Sequence, residues 1–380
     1  MIRIIEYGAL TATRGGIESY IRNQVACLSE GKNKKEIQFD FLVPNEDEKL
    51  AYEDELNVYG CKFYRAYRRW KDSFFGHYVD LFHFFKQHHK EYDIAAANYL
   101  DLQNINFLIV AKLFGLKTIA HAHNSNVKRN FKYKLLVAFN RVLAVFFIDY
   151  LFTCSSVAAQ WMFGDLLLKL KNRHYAQINN RIDAEKFRFS LNKREEMRKK
   201  LNISSDTIVI GQTGRMTPQK NPLFIVDIFY EFQKIHKKTC LILIGDGKLK
   251  EKIIDRINHY GIGKKVMIPG SQNNIPDWLQ AFDVFLFPSL YEGLPVSLVE
   301  AQAAGLKCFV SDRVPHQSFI TDLCYTYSLK QKPREWAQAI YDEIPYNRQD
   351  MQKEIFQKGF DVNGLREYYI NLYKKIQTSE

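Results

Sequence analysis

FPSLYEGLPVSLVEAQAAGLKCFVSD, residues 287–312, is the stretch that decides the fold. An apolar strand over residues 283–288 leads into it and is followed by a polar loop. Pro295 suits the first turn of a helix, where its missing N–H costs nothing, and Gly305 marks the end of that helix. Residues 306–311 then predict the next strand. The stretch is therefore a strand–loop–helix–strand unit, which is typical of an α/β protein.

Two acidic residues, Glu292 and Glu300, lie in the loop and the helix of this unit. Glu292 precedes the helix and Glu300 lies about two turns inside it, so the two can bracket a ligand across the helix N-terminus. The free N–H groups at that end favour an anion such as phosphate, and each carboxylate accepts hydrogen bonds from hydroxyl groups. The pattern suits a nucleotide sugar. The alternative is a pair of solvent-facing glutamates on an ordinary helix.

The length of 380 residues predicts two domains, because it exceeds what one average core needs. The chain starts with a strand pattern rather than a signal peptide. Its most apolar stretch, residues 135–151, is interrupted by Asn140, Arg141 and Asp149, and predicts a buried helix followed by a strand rather than a membrane span. Six scattered cysteines without a C-x-x-C pair predict reduced thiols in a cytosolic protein, with neither a disulfide framework nor a zinc site.

The net charge of +12 calls for an anionic partner. Basic residues concentrate in two clusters that also contain aromatic residues: Lys62, Arg65, Arg68, Arg69 and Lys71 with Phe63, Tyr64, Tyr67 and Trp70, and then Lys128, Arg129, Lys132 and Lys134 with Phe131 and Tyr133. This mixture suits the headgroup layer of an anionic membrane surface. A solvated helix face is the alternative. No RNA-recognition motif supports nucleic acid as the partner.

Gly15 and Gly16 lie between a strand predicted over residues 2–7 and a helix predicted over residues 17–28. Glycines at such a turn let the backbone approach a ligand closely. The dinucleotide pattern G-x-G-x-x-G is not matched, and a routine tight turn is the alternative.

Two histidines, His121 and His123, lie at the end of a strand predicted over residues 118–123. Being two positions apart, they share one face, and the C-terminal end of a parallel strand points into the crevice where α/β proteins bind ligands. A packing or hydrogen-bonding role is the alternative. More histidines fall in a helix predicted over residues 74–89, but no acidic or cysteine partner stands at ligand spacing, so no metal site is predicted.

The second half begins with a strand predicted over residues 208–212. Arg215 and Lys220 follow it, just before a helix that starts near Pro222. Two cations near a helix N-terminus can neutralise a diphosphate, and a surface pair with a structural role is the alternative. The next predicted strand ends in the glycine-containing turn 245–247.

Together these motifs resemble a known family. EGLPVSLVE, from Glu292 to Glu300, resembles the E-x7-E signature of retaining glycosyltransferases of the GT-B fold, family 4. The resemblance extends to residues 15–16, 214–221 and 245–247, which occur in the family's order and span nearly the whole chain. It implies an α/β fold with two Rossmann-like parallel-sheet domains that face each other across a cleft.

The resemblance also implies domain boundaries. Residues 1–187 would form the acceptor-side domain, residues 188–362 the nucleotide-sugar-binding domain, and residues 363–380 a helix that crosses back to the first domain. The linker resembles the family's P-N-G-[IV]-D pattern, with Ile178 in place of proline and Arg181 in place of glycine. If glycine serves a positive φ there, Arg181 needs a different turn.

The resemblance assigns the roles of the family's residues to the matching positions of this sequence. The catalytic set would be His123, chosen over its neighbouring histidine to position the transferred sugar, with Glu292 for the sugar hydroxyls and Arg215 and Lys220 for the diphosphate. Glu300 would hold the ribose. Further substrate contacts would come from the glycine pair and the start of the helix, namely Gly15, Gly16, Gly293, Leu294, Pro295 and Val296.

The resemblance implies a hexosyltransferase that moves a sugar with retention from a nucleotide sugar, with uridine as the expected base, to a glycan or lipid-linked acceptor. The basic clusters would bring this enzyme, from the cytoplasm, peripherally to the inner face of the membrane, where a lipid-linked acceptor lies. We therefore expect it to act in surface polysaccharide synthesis (capsule or exopolysaccharide). No metal or other cofactor is expected, because the cations neutralise the diphosphate. The alternatives are another enzyme of this fold, such as a nucleotide-sugar epimerase or a phosphorylase, and a non-catalytic basic membrane- or RNA-binding module.

Overall fold

The computed structural model describes all residues except 9, 13–14, 30–35, 47, 124–130, 172–173, 365 and 380. The chain divides into two compact domains. The first comprises Met1–Arg181 and Val362–Glu380, and the second comprises Ile182–Asp361. The sequence predicts changes of domain after residues 187 and 362, and the observed changes lie after residues 181 and 361.

The first domain is a parallel sheet covered by helices. Its strands are β1 (Ile2–Tyr7), β2 (Ile37–Pro44), β3 (Phe63–Tyr67), β4 (Ile94–Tyr99), β5 (Lys117–Ala122), β6 (Tyr150–Thr153) and β7 (Tyr175–Gln177). Its helices are α1 (Gly16–Ser29), α2 (Glu53–Val58), α3 (Phe74–His88), α4 (Asn106–Leu113), α5 (Phe131–Phe147), α6 (Ser156–Leu170) and, at the other end of the chain, α15 (Arg366–Thr378). The strand order is β3-β2-β1-β4-β5-β6-β7.

Helices lie on both faces of this sheet. Because parallel crossovers are right-handed, the helices that follow β1 and β2 lie opposite those that follow β3 to β6, where the chain crosses the sheet in the other direction. Helix α15 contacts α1 and β1, and so belongs to the first of these faces. On the other face α4 contacts α3 and α5, and α5 contacts α6, so these four helices form one layer. Strands covered on both faces are apolar runs, as in β4, which is buried at every position.

The second domain repeats the same architecture. Its strands are β8 (Ile208–Thr213), β9 (Thr239–Ile244), β10 (Val266–Gly270), β11 (Val284–Phe287), β12 (Lys307–Ser311) and β13 (Cys324–Tyr327). Its helices are α7 (Ala184–Phe187), α8 (Leu191–Lys200), α9 (Pro222–Ile235), α10 (Lys250–His259), α11 (Ile275–Ala281), α12 (Val296–Ala303), α13 (Pro333–Asp342) and α14 (Gln352–Gln357). The parallel strands follow the order β10-β9-β8-β11-β12-β13.

Each sheet has one point at which the strand order reverses. In the first domain it lies between β1 and β4, and in the second between β8 and β11. Helices leave to opposite faces at such a point, so a crevice opens beyond the carboxyl ends of the two strands. The predicted fold of two Rossmann-like parallel-sheet domains is confirmed, and each domain has one topological site for a ligand.

The helix and strand predicted within residues 135–151 are observed as α5 and β6, but the prediction that this helix is buried is wrong. Helix α5 buries only Val137, Asn140 and Ala144, and it exposes large apolar side chains on its opposite side. Apolar residues occur on both sides of this helix, and its neighbours α4 and α6 cover one side only. No helix among the described residues has the length and apolarity that crossing a membrane requires.

The structure of the linker shows how arginine is accommodated at position 181, where the resembled pattern has glycine. No positive φ is found at Arg181, where the backbone is described, and its carbonyl accepts a hydrogen bond from Asn23 Nδ2 at 2.9 Å. The Arg181 guanidinium lies 4.7 Å from the centre of the Tyr369 ring on α15. Ile178 is fully buried in the core of the first domain. The two departures from the family's linker therefore serve packing within that domain.

Candidate functional site

In the second domain, the loop between β11 and α12 carries the two predicted acids. Pro295 has an extended backbone, with φ −74° and ψ 113°, and caps the start of α12. Glu292 and the four residues that follow it, through Val296, are buried, whereas Glu300 is partly exposed. The helix therefore begins one residue after the proline, and the loop amides lie at the edge of the sheet where the order of strands reverses.

Lys220 and Glu292 form a buried ion pair. Lys220 Nζ lies 2.8 Å from Glu292 Oε1, and the two side chains are 15% and 6% exposed. Gln219 donates a second hydrogen bond to Glu292, at 3.3 Å, and Lys220 Nζ also lies 4.6 Å from the centre of the Phe287 ring. The cation predicted for a diphosphate is thus held against the acid predicted for sugar hydroxyls, although 72 positions separate them in the chain.

Glu300 occupies the same site. Although part of the residue is exposed, burial of its carboxyl group raises the pKa of Glu300 to about 7, and the positive charge of Lys220 opposes that rise. No hydrogen bond to this carboxyl group is found among the described residues. Glu300 therefore changes charge close to neutral pH, and it is available to accept hydrogen bonds from a ligand.

The two glycine-containing loops of the second domain interlock beside this site. Met216 donates a backbone hydrogen bond to Asp246 at 2.8 Å. Gly245 has φ +135°, and a Cβ added there would lie 2.1 Å from the carbonyl oxygen of Gly214. Glycine is therefore required at position 245 by close backbone contact. The Arg215 side chain, in the loop after β8, is exposed.

The first domain places the two histidines together at the end of β5. Their ring centres are 4.0 Å apart, as expected for residues on one face, and both His121 and His123 are buried. His123 Nε2 lies 2.8 Å from Asn98 Oδ1 on β4, and Asn98 Nδ2 donates to Glu6 Oε2 on β1 at 3.1 Å. The Tyr20 ring on α1 lies 4.9 Å from each histidine ring.

The histidines are neutral at physiological pH. Burial lowers the pKa of His123 to about 3, and burial with the charge of His123 lowers the pKa of His121 well below its ordinary value. The bond to Asn98 Oδ1 assigns the proton of His123 to Nε2. Nδ1 is then an acceptor, and it is buried without a hydrogen bond from any described residue. Asn98 thereby links this tautomer to Glu6, whose pKa is raised to about 7 by burial, with the Asn98 hydrogen bond opposing the rise.

Sequence reasoning missed Glu6 and Asn98. Each is a polar residue at the next-to-last position of a largely apolar strand, IRIIEY for β1 and IAAANY for β4. A buried polar residue needs a hydrogen-bond partner, and the carboxyl ends of parallel strands border the ligand crevice. A polar residue near the carboxyl end of a buried strand therefore indicates a functional site. The predicted Gly15 and Gly16 lie in the same domain at the start of α1, where a Cβ at Gly16 would meet nothing within 4 Å.

The first basic cluster is largely neutralised by pairing. Arg65 binds Glu53 with both oxygens at 2.8 Å, Arg68 binds Asp80 at 2.9 Å, and Arg69 binds Glu46 at 2.6 Å. Tyr67 is buried. In the second cluster Lys128 and Arg129 lie outside the described residues, whereas Lys132 and Lys134 are exposed on α5.

Comparison with known proteins identifies the class. Residues 193–343 match the family model for glycosyl transferases group 1. EpsF of Bacillus subtilis (strain 168), assigned as a glycosyltransferase, is 27% identical over 372 residues, which cover 95% of this chain and 93% of EpsF. An Escherichia coli protein named UDP-Gal:alpha-D-GlcNAc-diphosphoundecaprenol alpha-1,3-galactosyltransferase is 34% identical over 140 residues, 36% of each chain.

Solved structures show the same fold. The crystal structure of Anabaena HepE in complex with UDP-glucose has a TM-score of 0.79 and 16% identity, and covers 99% of this chain and 100% of its own. WaaG, a glycosyltransferase involved in lipopolysaccharide biosynthesis, has a TM-score of 0.65 and 14% identity, with 100% of both chains covered. The predicted GT-B fold is therefore confirmed.

The protein is a glycosyltransferase, and residues 193–343 of its second domain match the glycosyl transferases group 1 model. The predicted enzyme class is confirmed. The matched segment includes Arg215, Lys220, Glu292 and Glu300, whereas His123 lies outside it.

Proposed function

We propose that this glycosyltransferase belongs to family 4 and transfers a sugar, with retention of configuration, from a UDP-sugar to a glycan or lipid-linked acceptor during surface polysaccharide assembly. Several relatives are named as glycosyltransferases of surface polysaccharide biosynthesis. One is the capsular polysaccharide biosynthesis glycosyltransferase CapH of Staphylococcus aureus, which is 28% identical over 167 residues. The structurally similar HepE was crystallised with UDP-glucose.

The observation that supports the donor site is the grouping of Lys220, Glu292 and Glu300 beyond β8 and β11. A buried ion pair is stable only while each charge has a partner of opposite charge. A diphosphate would offer Lys220 a second anion, and the loop amides before α12 would offer the diphosphate further donors. Glu292 would then be released to accept hydrogen bonds from the sugar, and Glu300 would accept them from the ribose.

The chemistry assigned to these groups is a substitution at the anomeric carbon. The bond from that carbon to the diphosphate oxygen breaks, a bond to the acceptor hydroxyl oxygen forms on the same face, and the acceptor proton passes to the departing phosphate. The products are the glycoside and UDP. Lys220 and the exposed Arg215 stabilise the negative charge that develops on the diphosphate, so we propose that no metal ion is needed. No carboxylate is assigned as a nucleophile.

His123 is proposed to position the transferred sugar. Its Nδ1 is an acceptor held by the Asn98 hydrogen bond at Nε2, so it suits a sugar hydroxyl rather than an anion. The enzyme is proposed to act in the cytoplasm at the inner face of the membrane, where a lipid-linked acceptor is presented.

The test is thermal unfolding of the wild type, Lys220→Ala and Glu300→Ala with UDP, GDP, ADP and UDP-sugars. A ligand that binds only the folded state stabilises it by about 2.7 kcal/mol at a hundredfold excess over Kd. We expect UDP to raise the melting temperature of the wild type and to lose most of that effect in both variants. Lys234→Ala is the matched control, because Lys234 lies exposed on α9 and pairs with Glu231.

Stabilisation by a different nucleotide would contradict the choice of uridine. Equal stabilisation of the wild type and the three variants by UDP would contradict the assignment of Lys220 and Glu300 to the donor site. Transfer itself is measured as UDP release that depends on an added acceptor, with and without EDTA, and loss of release in EDTA would contradict the metal-independent mechanism.

A further inference from the structure

The outer face of helix α5 is apolar and exposed. Five large side chains stand between 57% and 73% exposed at spacings of four, four, three and four residues, which keep them on one side of a helix: Phe131, Leu135, Phe139, Val142 and Phe146. The opposite side of the helix buries Val137, Asn140 and Ala144. The larger apolar side chains of this helix therefore face solvent, whereas smaller side chains face the domain.

The helix is firmly attached to the domain beneath it. Asn140 Nδ2 donates to the carbonyl oxygens of Leu102 and Gln103 at 2.7 and 3.0 Å. Arg141 donates to the carbonyl oxygens of Met162 and Trp161 on α6 at 2.9 and 2.6 Å. The polar residues that interrupt this apolar stretch thus fix the helix in place, and the exposed face is presented on a rigid support.

The charged side chains of α5 itself are all basic. Residues 131–147 contain no acidic residue. Exposed Lys132 and Lys134 flank the apolar stripe, about 60° and about 100° from its centre on opposite sides if each residue turns the helix by about 100°. Lysines beside an apolar stripe can contact phosphates while the stripe enters the acyl boundary of a bilayer.

Neighbouring helices of the same layer extend the exposed apolar surface. Phe75, Val79 and Phe82 on α3, Leu113 on α4, and Leu166 and Leu170 on α6 are all exposed. The acidic groups on these helices are few: Asp80 pairs with Arg68, and Asp165 is exposed on α6. Monomeric soluble proteins rarely leave apolar surface of this extent uncovered.

We propose that the outer face of α5 inserts into the interfacial region of a membrane with anionic headgroups, with Lys132 and Lys134 contacting lipid phosphates. A second copy of the chain fits less well, because a twofold interface places this face against itself, and residues 131–147 offer no acidic partner for the lysines of the other copy. This inference deepens the proposed function by giving the enzyme a means to reach a lipid-linked acceptor. Of the two predicted basic clusters, it keeps the second, whose Lys132 and Lys134 lie on α5, and sets aside the first, whose arginines are paired with acidic residues.

The test is cosedimentation of the full chain with vesicles of phosphatidylcholine alone or mixed with phosphatidylglycerol. We expect the wild type to bind the anionic vesicles at least about tenfold more tightly than the neutral ones. Phe139→Glu/Val142→Glu should lose about tenfold or more of that binding, because it places two carboxylates in the stripe. Lys132→Gln/Lys134→Gln should lose most of the preference for anionic vesicles.

Phe356→Glu is the matched control, because Phe356 is a 54% exposed phenylalanine on α14 in the second domain. It should bind vesicles as the wild type does. Equal binding by the wild type and Phe139→Glu/Val142→Glu, or no binding by the wild type, would overturn the inference. So would a wild-type dimer in sedimentation velocity that this double variant dissolves, because α5 would then be an interface between copies.

UDP-dependent stabilisation is measured in parallel for every variant. It reports whether the variant is folded and whether the donor site is intact, and α5 contributes no residue to that site. A protein that UDP stabilises but vesicles do not bind would refute the membrane face alone. A protein that binds vesicles without responding to UDP would refute the proposed donor site alone.

Discussion

Glu6 shows how one buried residue makes stability depend on pH. Burial raises its pKa from 4.5 to about 7. The folded chain therefore holds a proton that the unfolded chain has released between about pH 4.5 and pH 7, so this contribution to stability is complete below pH 4.5 and is lost as the pH rises through 7. A shift of this size corresponds to about 3 kcal/mol.

Glu6→Gln removes that dependence. The glutamine carbonyl can still accept the hydrogen bond from Asn98, and no charge is buried at high pH. We expect the variant to be more stable than the wild type at pH 8 by about 1–3 kcal/mol and nearly equal to it at pH 4.5. Urea unfolding at a series of pH values measures this. Glu48→Gln, at an exposed position of the same domain, is the control and should change neither curve.

An equal loss of stability in Glu6→Gln at every pH would contradict this account, because it would mean that the ionised carboxylate is needed for the Asn98 contact. The same variant reports on His123. If the chain of hydrogen bonds from Glu6 through Asn98 only fixes the tautomer, acceptor-dependent UDP release should survive in Glu6→Gln and lose part of its dependence on pH near 7.

At the scale of elements, the strands were the most predictable part of the fold. A strand covered on both faces is a short apolar run between turn residues, and residues 239–244 are predicted and observed as β9. Helix starts were less predictable. The sequence of residues 101–113 predicts a single helix, but the observed helix begins at Asn106. The side chains of Asp101 and Asn104 accept hydrogen bonds from the backbone two residues on, at 2.9 Å each, and form turns instead.

Which face of a helix is buried depends on neighbours that the local sequence does not contain. This is why the exposed stripe of α5 was predicted as core. The pairing of Lys220 with Glu292 was unpredictable for the same reason, since it joins the turn before α9 to the loop before α12. Spacing along the chain can indicate which residues share a sheet edge, but it does not show which of them bind each other in the absence of ligand.

Arg348 stabilises the end of two helices in the second domain. Its guanidinium donates to the carbonyl oxygens of Leu279, Gln280 and Phe282 at 2.8, 3.0 and 3.1 Å, and to that of Ala304. These groups end α11 and α12. Carbonyl groups at helix C-termini carry partial negative charge, so a cation suits them, although burial lowers the pKa of Arg348 to about 9.

Arg348→Met leaves those carbonyl groups without their donor. We expect a loss of about 3 kcal/mol or more in the unfolding of the second domain, together with weaker stabilisation by UDP, because α12 carries Glu300. Chemical denaturation followed by circular dichroism measures the first effect. Arg334→Met, at an exposed position on α13, should stay within about 0.5 kcal/mol of the wild type. A comparable loss in both variants would contradict the capping role of Arg348.

At the scale of the whole molecule, the first domain is completed by the end of the chain. Helix α15 supplies Tyr369, Ile370, Tyr373 and Ile376 to the core that also contains β1 and β2. Tyr373 is 2% exposed, its hydroxyl accepts a hydrogen bond from Gln24 at 2.7 Å, and its ring centre lies 6.1 Å from that of Phe39. The first domain therefore cannot bury this core fully until α15 has been synthesised.

Tyr373→Ala tests this dependence. Removing a buried aromatic side chain leaves a cavity and an unpaired Gln24, and we expect the first domain to lose about 3–5 kcal/mol. The second domain has its own core, so its unfolding transition and its stabilisation by UDP should be retained. Tyr368→Ala, on the same helix at 44% exposure, should cost less than about 1 kcal/mol. If Tyr373→Ala instead abolished the response to UDP and lowered a single transition, the two domains would unfold as one cooperative unit, and the donor site would depend on the core closed by α15.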